Sequence, residues 1–175
     1  MNRISELTQT VKEHEAALIR YASRMLNDRD NARDAVQEAF IRFARNLEKK
    51  EKKAINNVQA WLYKVTRNIC LDTLRSKKKR LELPLEENID RFVCPQKAPD
   101  ATLKVNEDMQ MLRKMINNLE PREREILLLK LEHDKSYKEM AEIMEISVGN
   151  VGFILHNTMK KLKAGYRSSA GGESK

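Results

Sequence analysis

The sequence predicts an all-α protein of two small helical domains joined by a flexible linker, and three observations carry that expectation. Apolar residues recur at intervals of three and four through most of the 175-residue chain. Glycine (5) and proline (4) are scarce, which disfavours a β-fold punctuated by tight turns. Three of the four prolines, Pro84, Pro95 and Pro99, fall in a central stretch without helical period, which reads as a linker. The expected organisation is a first domain over residues 1–82, the linker over 83–105, a second domain over 106–167 and a flexible tail over 168–175.

In the first domain, Ile4, Leu7, Val11, Leu18, Tyr21 and Met25 define a helix that stops at Asn27-Asp28. Asp30 is the expected N-cap of a second helix with the stripe Ala32, Ala35, Val36, Ala39, Phe40, Phe43 and Leu47. A basic loop with Lys49, Lys50, Lys52 and Lys53 leads to a third helix carrying Val58, Trp61, Leu62, Val65, Ile69 and Leu74. The second domain opens on a Met-rich helix over 103–119 and continues with a helix started by Pro121, a favoured first-turn residue. After a break at His133-Asp134 come a short helix over 136–144 and a last helix over about 148–163.

Charge and composition narrow the function. With 34 Lys plus Arg against 26 Asp plus Glu, the net charge is +8, which invites an anionic partner, nucleic acid first. The longest apolar stretches fall far short of a membrane span, and the N-terminus lacks the apolar core of a signal peptide. A cytoplasmic protein without membrane insertion is therefore expected. Cys70 and Cys94 are too few for a disulfide framework or a four-ligand zinc site; Cys70 is expected to pack in the third helix. His14, His133 and His156 lie far apart, and there is no Gly-rich phosphate loop. No catalytic set, metal or cofactor is expected, and the chain does not read as an enzyme.

One stretch has a specific shape. In residues 136–151, a short helix with Tyr137, Met140, Ala141 and Met144 inward meets a turn, and Ser147 then caps a second helix with Val151, Leu155 and Leu162 facing back. This is helix-turn-helix grammar, in which the second helix enters the major groove. An αα-hairpin that merely packs is the alternative. Residues 146–172 contain no acid, while Lys160, Lys161, Lys163 and Arg167 lie toward the far end, which favours DNA.

Leu119-Glu120-Pro121-Arg122-Glu123-Arg124-Glu125-Ile126, followed by Ser136-Tyr137-Lys138-Glu139-Met140-Ala141, resembles the promoter −35-binding domain of bacterial sigma factors. The string is also similar to the DNA-binding domain of response regulators. The N-terminal half separates the two: residues 30–40, 60–68 and 71–75 resemble the other conserved sigma-factor domain. Together the motifs resemble the small extracytoplasmic-function sigma factors of RNA polymerase. That resemblance implies a binding and specificity subunit, with polymerase core, promoter DNA and an anti-sigma factor as partners. It places core binding on Asp34, Gln37, Glu38 and Arg42. It places −10 recognition, with base flipping and strand opening, on Asn57, Trp61, Asn68, Asp72, Arg75, Lys77 and Lys78. Trp61 suits the core by its spacing as well as a stacking platform. The −35 set is Arg122, Arg124, Ser136, Lys138, Ser147, Gly149, Asn150, Phe153, His156, Asn157 and Lys160. Here the chain departs from many relatives: Gly152, Phe153 and Ile154 stand where basic or hydroxyl residues follow the helix valine. Asn150, His156 and Asn157 become the polar candidates for base edges, since Asn pairs bidentately with adenine. A stand-alone duplex-binding regulator and a protein-only adaptor are the competing readings.

Overall fold

The computed structural model describes residues 3–48, 55–80 and 103–170. Lys49, Lys50, Lys52, Lys53, most of the stretch read as linker, with Cys94, and the end of the tail lie outside the described residues. Among the described residues there are seven helices and no strand, so the all-α expectation holds. The chain divides into two compact units, one built on α1–α3 and the other on α4, α5, the first part of α6, and α7.

The first unit contains α1 (Arg3–Leu26), α2 (Arg29–Glu48) and α3 (Val58–Arg80). Asn27 ends α1 in the left-handed region at φ 49°, a conformation asparagine tolerates, with its N–H donating to the Ser23 carbonyl at 3.0 Å. Asp28, not Asp30, then caps α2. Its Oδ1 accepts from the Asp30 N–H at 3.1 Å and the Asn31 N–H at 3.0 Å. Asp30 lies inside the first turn, where its charge still suits the helix dipole. All seven residues of the expected α2 stripe are buried, and its three alanines let neighbouring backbones approach closely.

The core of this unit is completed by Leu18, Tyr21, Ala22 and Met25 of α1 and by Ala60, Leu62, Tyr63, Thr66 and Cys70 of α3. Tyr21 and Tyr63 pack with ring centroids 5.2 Å apart and planes tilted by 53°. The α3 stripe differs from its sequence reading. Leu62 is buried as expected, but Val58, Trp61, Val65, Ile69 and Leu74 are only half-buried, and Ala60, Tyr63, Thr66 and Cys70 complete the core-facing side. Ile4 is 72% exposed, so the buried part of α1 starts further along.

The second unit contains α4 (Leu103–Asn117), α5 (Pro121–Leu131), the first part of α6 (Tyr137–Met144) and α7 (Val148–Ala170). Thus α4 begins inside the stretch read as linker, and α7 continues past residue 167. In α5, Glu123 to Leu129 are all buried, which makes it the central helix of its unit. Pro121 opens it, and Glu123 Oε2 reaches back to accept from the Glu120 N–H at 3.1 Å. The other oxygen, Oε1, accepts from Lys161 Nζ of α7 at 2.6 Å. Glycine matters where α7 crosses α4, since a Cβ at Gly165 would lie 2.6 Å from Met115 Cε.

Asp28 also holds α3, since its Oδ2 accepts from Lys77 Nζ at 3.1 Å and from the Asn31 side-chain amide. The Asn31 N–H and the Lys77 ammonium are the main causes that lower its carboxyl from the ordinary 3.8 to about 2. A carboxyl depressed on folding stabilises above its unfolded value and loses that contribution as pH falls through its folded one. Asp28→Ala is therefore expected to cost about 1–2 kcal/mol at pH 7, as cap removal does. The gap to wild type closes as pH falls from about 4 towards 2. Urea unfolding followed by fluorescence of Trp61, the single tryptophan, measures this in the first unit.

Candidate functional site

Three outward helix faces carry the residues singled out in the sequence. On α2, Asp34, Gln37 and Arg42 are exposed and Glu38 is half-buried. Arg42 Nε donates to Glu38 Oε1 at 2.8 Å, one helical turn apart, so these two charges partly neutralise each other. Gln37 also borders a groove of about 460 Å³ between α1 and α2, lined on its apolar sides by Leu7, Val11, Ile19, Val36 and Phe40. Ile41 closes its rim at 39% exposure. Ile41 went unremarked in the sequence, although it falls out of phase with the buried stripe and four residues after Gln37. The face is polar with an apolar trench beside it, a pairing that suits a protein partner.

On α3, Trp61, Asn68, Asp72 and Arg75, with Asn57 just before the helix, follow one another at intervals that place them within roughly 60° of arc, opposite Thr66 and Cys70. The helix thus brings these candidates to one side. Several have internal work. Asn57 Oδ1 caps the helix, accepting from the Ala60 N–H at 2.9 Å. Asp72 and Arg75 pair with each other at 3.0 Å while both stay exposed. Trp61 is half-buried, its ring 6.0 Å from Phe43 at a tilt of 52°. The Lys77 ammonium is held by Asp28, a contact 49 residues away with which a phosphate would compete. Lys78 continues the helix, but its side chain lies outside the described residues.

The third face belongs to α6 and α7. Ser136 caps α6 in a closed capping box: its Oγ accepts from the Glu139 N–H at 3.2 Å, and Glu139 Oε2 accepts from the Ser136 N–H at 2.9 Å. The Ser136 hydroxyl proton also goes to Glu139, at 2.7 Å, a bond that a phosphate contact would have to replace. The three-residue turn that follows has Glu145 at φ 57°, with the Ile146 N–H returning to the Ala141 carbonyl at 3.1 Å. Ser147 caps α7 by accepting from the Asn150 N–H at 3.1 Å, which leaves its own O–H able to donate.

Val151, Leu155 and Thr158 anchor α7, and Met140, Ala141 and Met144 are buried in α6. Tyr137 is the exception to the inward set, 43% exposed, with its ring edge 3.6 Å from where a Gly152 Cβ would stand. Gly149, Phe153, His156 and Lys160 then share the α7 face opposite the anchor and are all exposed. Asn150 is exposed and Asn157 half-buried on its flank. Arg122 and Lys138 are exposed as well. Arg124 is not. It is 4% exposed, with a guanidinium N–H directed at the Asn117 carbonyl, and it cannot present its charge to a phosphate. Alternation of basic and acidic residues in the sequence does not reveal which arginine turns inward.

Among the described residues, no group of three or more His, Cys, Asp or Glu is placed to hold a metal ion, and no helix is long and apolar enough to cross a membrane. Two families match the chain: Sigma-70 region 2 over residues 10–80 and Sigma-70, region 4 over residues 109–162. Between them they cover more than two thirds of its length and correspond to the two units. The chain belongs to the extracytoplasmic-function sigma factors of RNA polymerase.

The sigma factor is 27% identical to the ECF RNA polymerase sigma factor SigM of Bacillus subtilis, over 88% of this chain and 91% of that one. It is 24% identical to SigE of Mycolicibacterium smegmatis over 89% of this chain, and spans 59% of that relative's length. Its fold is similar to that of the sigma factor RpoE solved in complex with the anti-sigma factor NepR from Bartonella quintana. There the TM-score is 0.66 at 21% identity, over 93% of this chain and 97% of that one.

The two arginines of the α5 start give a direct test of their placement. Arg124→Ala is expected to lower stability by at least about 2 kcal/mol through lost packing and an orphaned carbonyl. Arg122→Ala is expected to stay within about 0.5 kcal/mol of wild type. Urea denaturation followed by far-ultraviolet circular dichroism measures both.

Proposed function

We propose that this sigma factor binds RNA polymerase core through the outward face of α2, reads the −10 element with α3 and the −35 element with α7, and promotes strand opening. Residues 1–82 form the core-binding and −10 domain in this reading, and residues 106–167 the −35 domain. One observation carries it: a chain with both sigma regions presents on α7 a face without a single acid, Gly149, Phe153, His156 and Lys160, held outward by a buried stripe.

Each surface has a physical task. Asp34 and Gln37 orient a partner helix, and the adjoining groove supplies apolar contact area. On α3, extruding a −10 base costs a few kcal/mol, which stacking and edge hydrogen bonds from Trp61, Asn68 and the Asp72–Arg75 pair offset. On α7, Ser147, Arg122 and Lys138 position the duplex by its phosphates, while Asn150, His156 and Asn157 meet base edges. Arg124 is buried and is left out of this reading, while Ser136 and Lys77 contribute by exchanging their internal partners for phosphate. Carrying two DNA contacts on one chain raises the effective concentration of the second once the first is made. An anti-sigma factor is the proposed second protein partner, supported by the NepR-bound neighbour and the apolar groove beside the α2 face. The sigma factor acts where polymerase and the chromosome are, in the cytoplasm.

Core pull-down combined with promoter-dependent run-off transcription tests the proposal, using promoters selected from a random pool. Protein that neither binds core nor directs initiation sinks it. Duplex binding without core binding leaves a stand-alone regulator, and core binding without DNA leaves an adaptor. Asp34→Lys is expected to weaken core binding on the order of tenfold or more through charge reversal. Its own affinity for duplex DNA is expected to stay within about twofold, since the change lies on a different surface.

A further inference from the structure

The glycines of α7 are not equivalent. Gly165 faces Met115, and Gly152 faces the Tyr137 ring, so each has a neighbour that a side chain would crowd or touch. Gly149 has none: a Cβ there would meet nothing within 4 Å. No glycine in the described residues has a positive φ, so backbone conformation does not require it either. Glycine is the poorest helix former after proline, yet it occupies the first turn of α7 with no return inside the chain. One turn further on the same face stands Phe153, 67% exposed, the most exposed large aromatic of the described residues.

We infer that Gly149 and Phe153 act as a pair: the bare first turn lets α7 seat closely in the major groove, and Phe153 then meets the C5-methyl of a thymine in the −35 element. The inference rests on the proposed promoter reading and deepens it by naming the base chemistry. The occupant is duplex DNA because residues 146–170 hold no acid, and His156 and Lys160 extend the same face with groups that suit a polyanion. The target within the groove follows from what a phenyl ring lacks. It has no donor or acceptor with which to read a base edge, and the apolar feature of the major-groove edges is the thymine methyl. Glycine at the preceding turn keeps the helix end from standing off by the width of a side chain.

The test uses holoenzyme assembled from this sigma factor and polymerase core, with promoter fragments selected from a random pool as probes. Each −35 thymine is replaced in turn by deoxyuridine, which removes only the methyl. At one position the replacement is expected to weaken wild-type binding about three- to fivefold, the worth of one buried methyl group. Phe153→Ala is expected to bind the thymine and deoxyuridine probes equally. Cytosine at that position is expected to bind better when 5-methylated, for wild type only. Gly149→Ala is expected to keep or raise the thermal midpoint while weakening −35 binding on the order of tenfold, since added bulk at the groove displaces base-edge contacts. Deoxyuridine without effect at every position, unchanged methyl discrimination in Phe153→Ala, or full affinity in Gly149→Ala each overturns the inference while the promoter reading stands. Loss of core assembly with intact DNA binding in Phe153→Ala also overturns it, by making the face a protein contact. Failure to form holoenzyme or to select any promoter overturns both.

Discussion

Each unit depends on one carboxylate that does two jobs at once. Asp28 accepts backbone N–H groups at the start of α2 and grips Lys77 near the end of α3. Glu123 accepts the Glu120 N–H at the start of α5 and grips Lys161 in the middle of α7. In both cases a helix N-terminus, which favours negative charge, fixes the acid that the distant lysine meets. The lysine then loses less freedom in pairing than it would with a mobile partner. Both gripped helices, α3 and α7, are the ones whose outward faces carry the proposed DNA contacts. Each bridge adds a directional contact to the apolar packing that already seats its helix.

That arrangement changes how the net charge of +8 is read. Lys77 and Lys161 belong to basic clusters and count towards a polyanion-binding surface in any sequence tally, yet each is paired with an acid of its own unit. Arg124 is buried, and Glu38 offsets Arg42. Each of these pairs removes one charge of either sign, so the excess of base stands and is carried by the remaining faces. Recognition on α7 leans on shape and polar geometry, with Asn150, His156 and an exposed phenyl ring beside a modest number of cations.

Legibility in the sequence followed the physics of each helix. The α2 stripe was readable residue for residue, since one side is alanine and large apolar groups and the other is charged. The α3 stripe was readable only in part: Leu62 is buried as expected, but Ala60, Thr66 and Cys70 enter the core while Val65 and Ile69 stay at its edge. Hydropathy cannot rank threonine above isoleucine; only the three-dimensional packing does that. The caps show a similar limit. Asp28 and Asp30 are both good capping residues, and the choice between them fell to the left-handed Asn27 that ends α1 one residue earlier. Lys77 with Asp28 is a pairing across 49 residues that no local pattern announces.

The candidate faces were more legible than the roles of their members. Spacing alone brings Asn57, Trp61, Asn68, Asp72 and Arg75 to one side of α3, and Gly149, Phe153, His156 and Lys160 to one side of α7. What spacing cannot supply is whether a polar atom is already engaged. Ser136 and Ser147 both cap helices, but the first donates its proton to Glu139 and the second keeps its own. Glycine poses the same problem in reverse. Gly149 and Gly165 are identical as letters in one helix; one makes room for Met115 and the other makes room for nothing in its own chain. A residue whose cost has no internal cause is most economically assigned to whatever the helix meets outside, and on α7 the charge, the exposed ring and the bare first turn all point the same way.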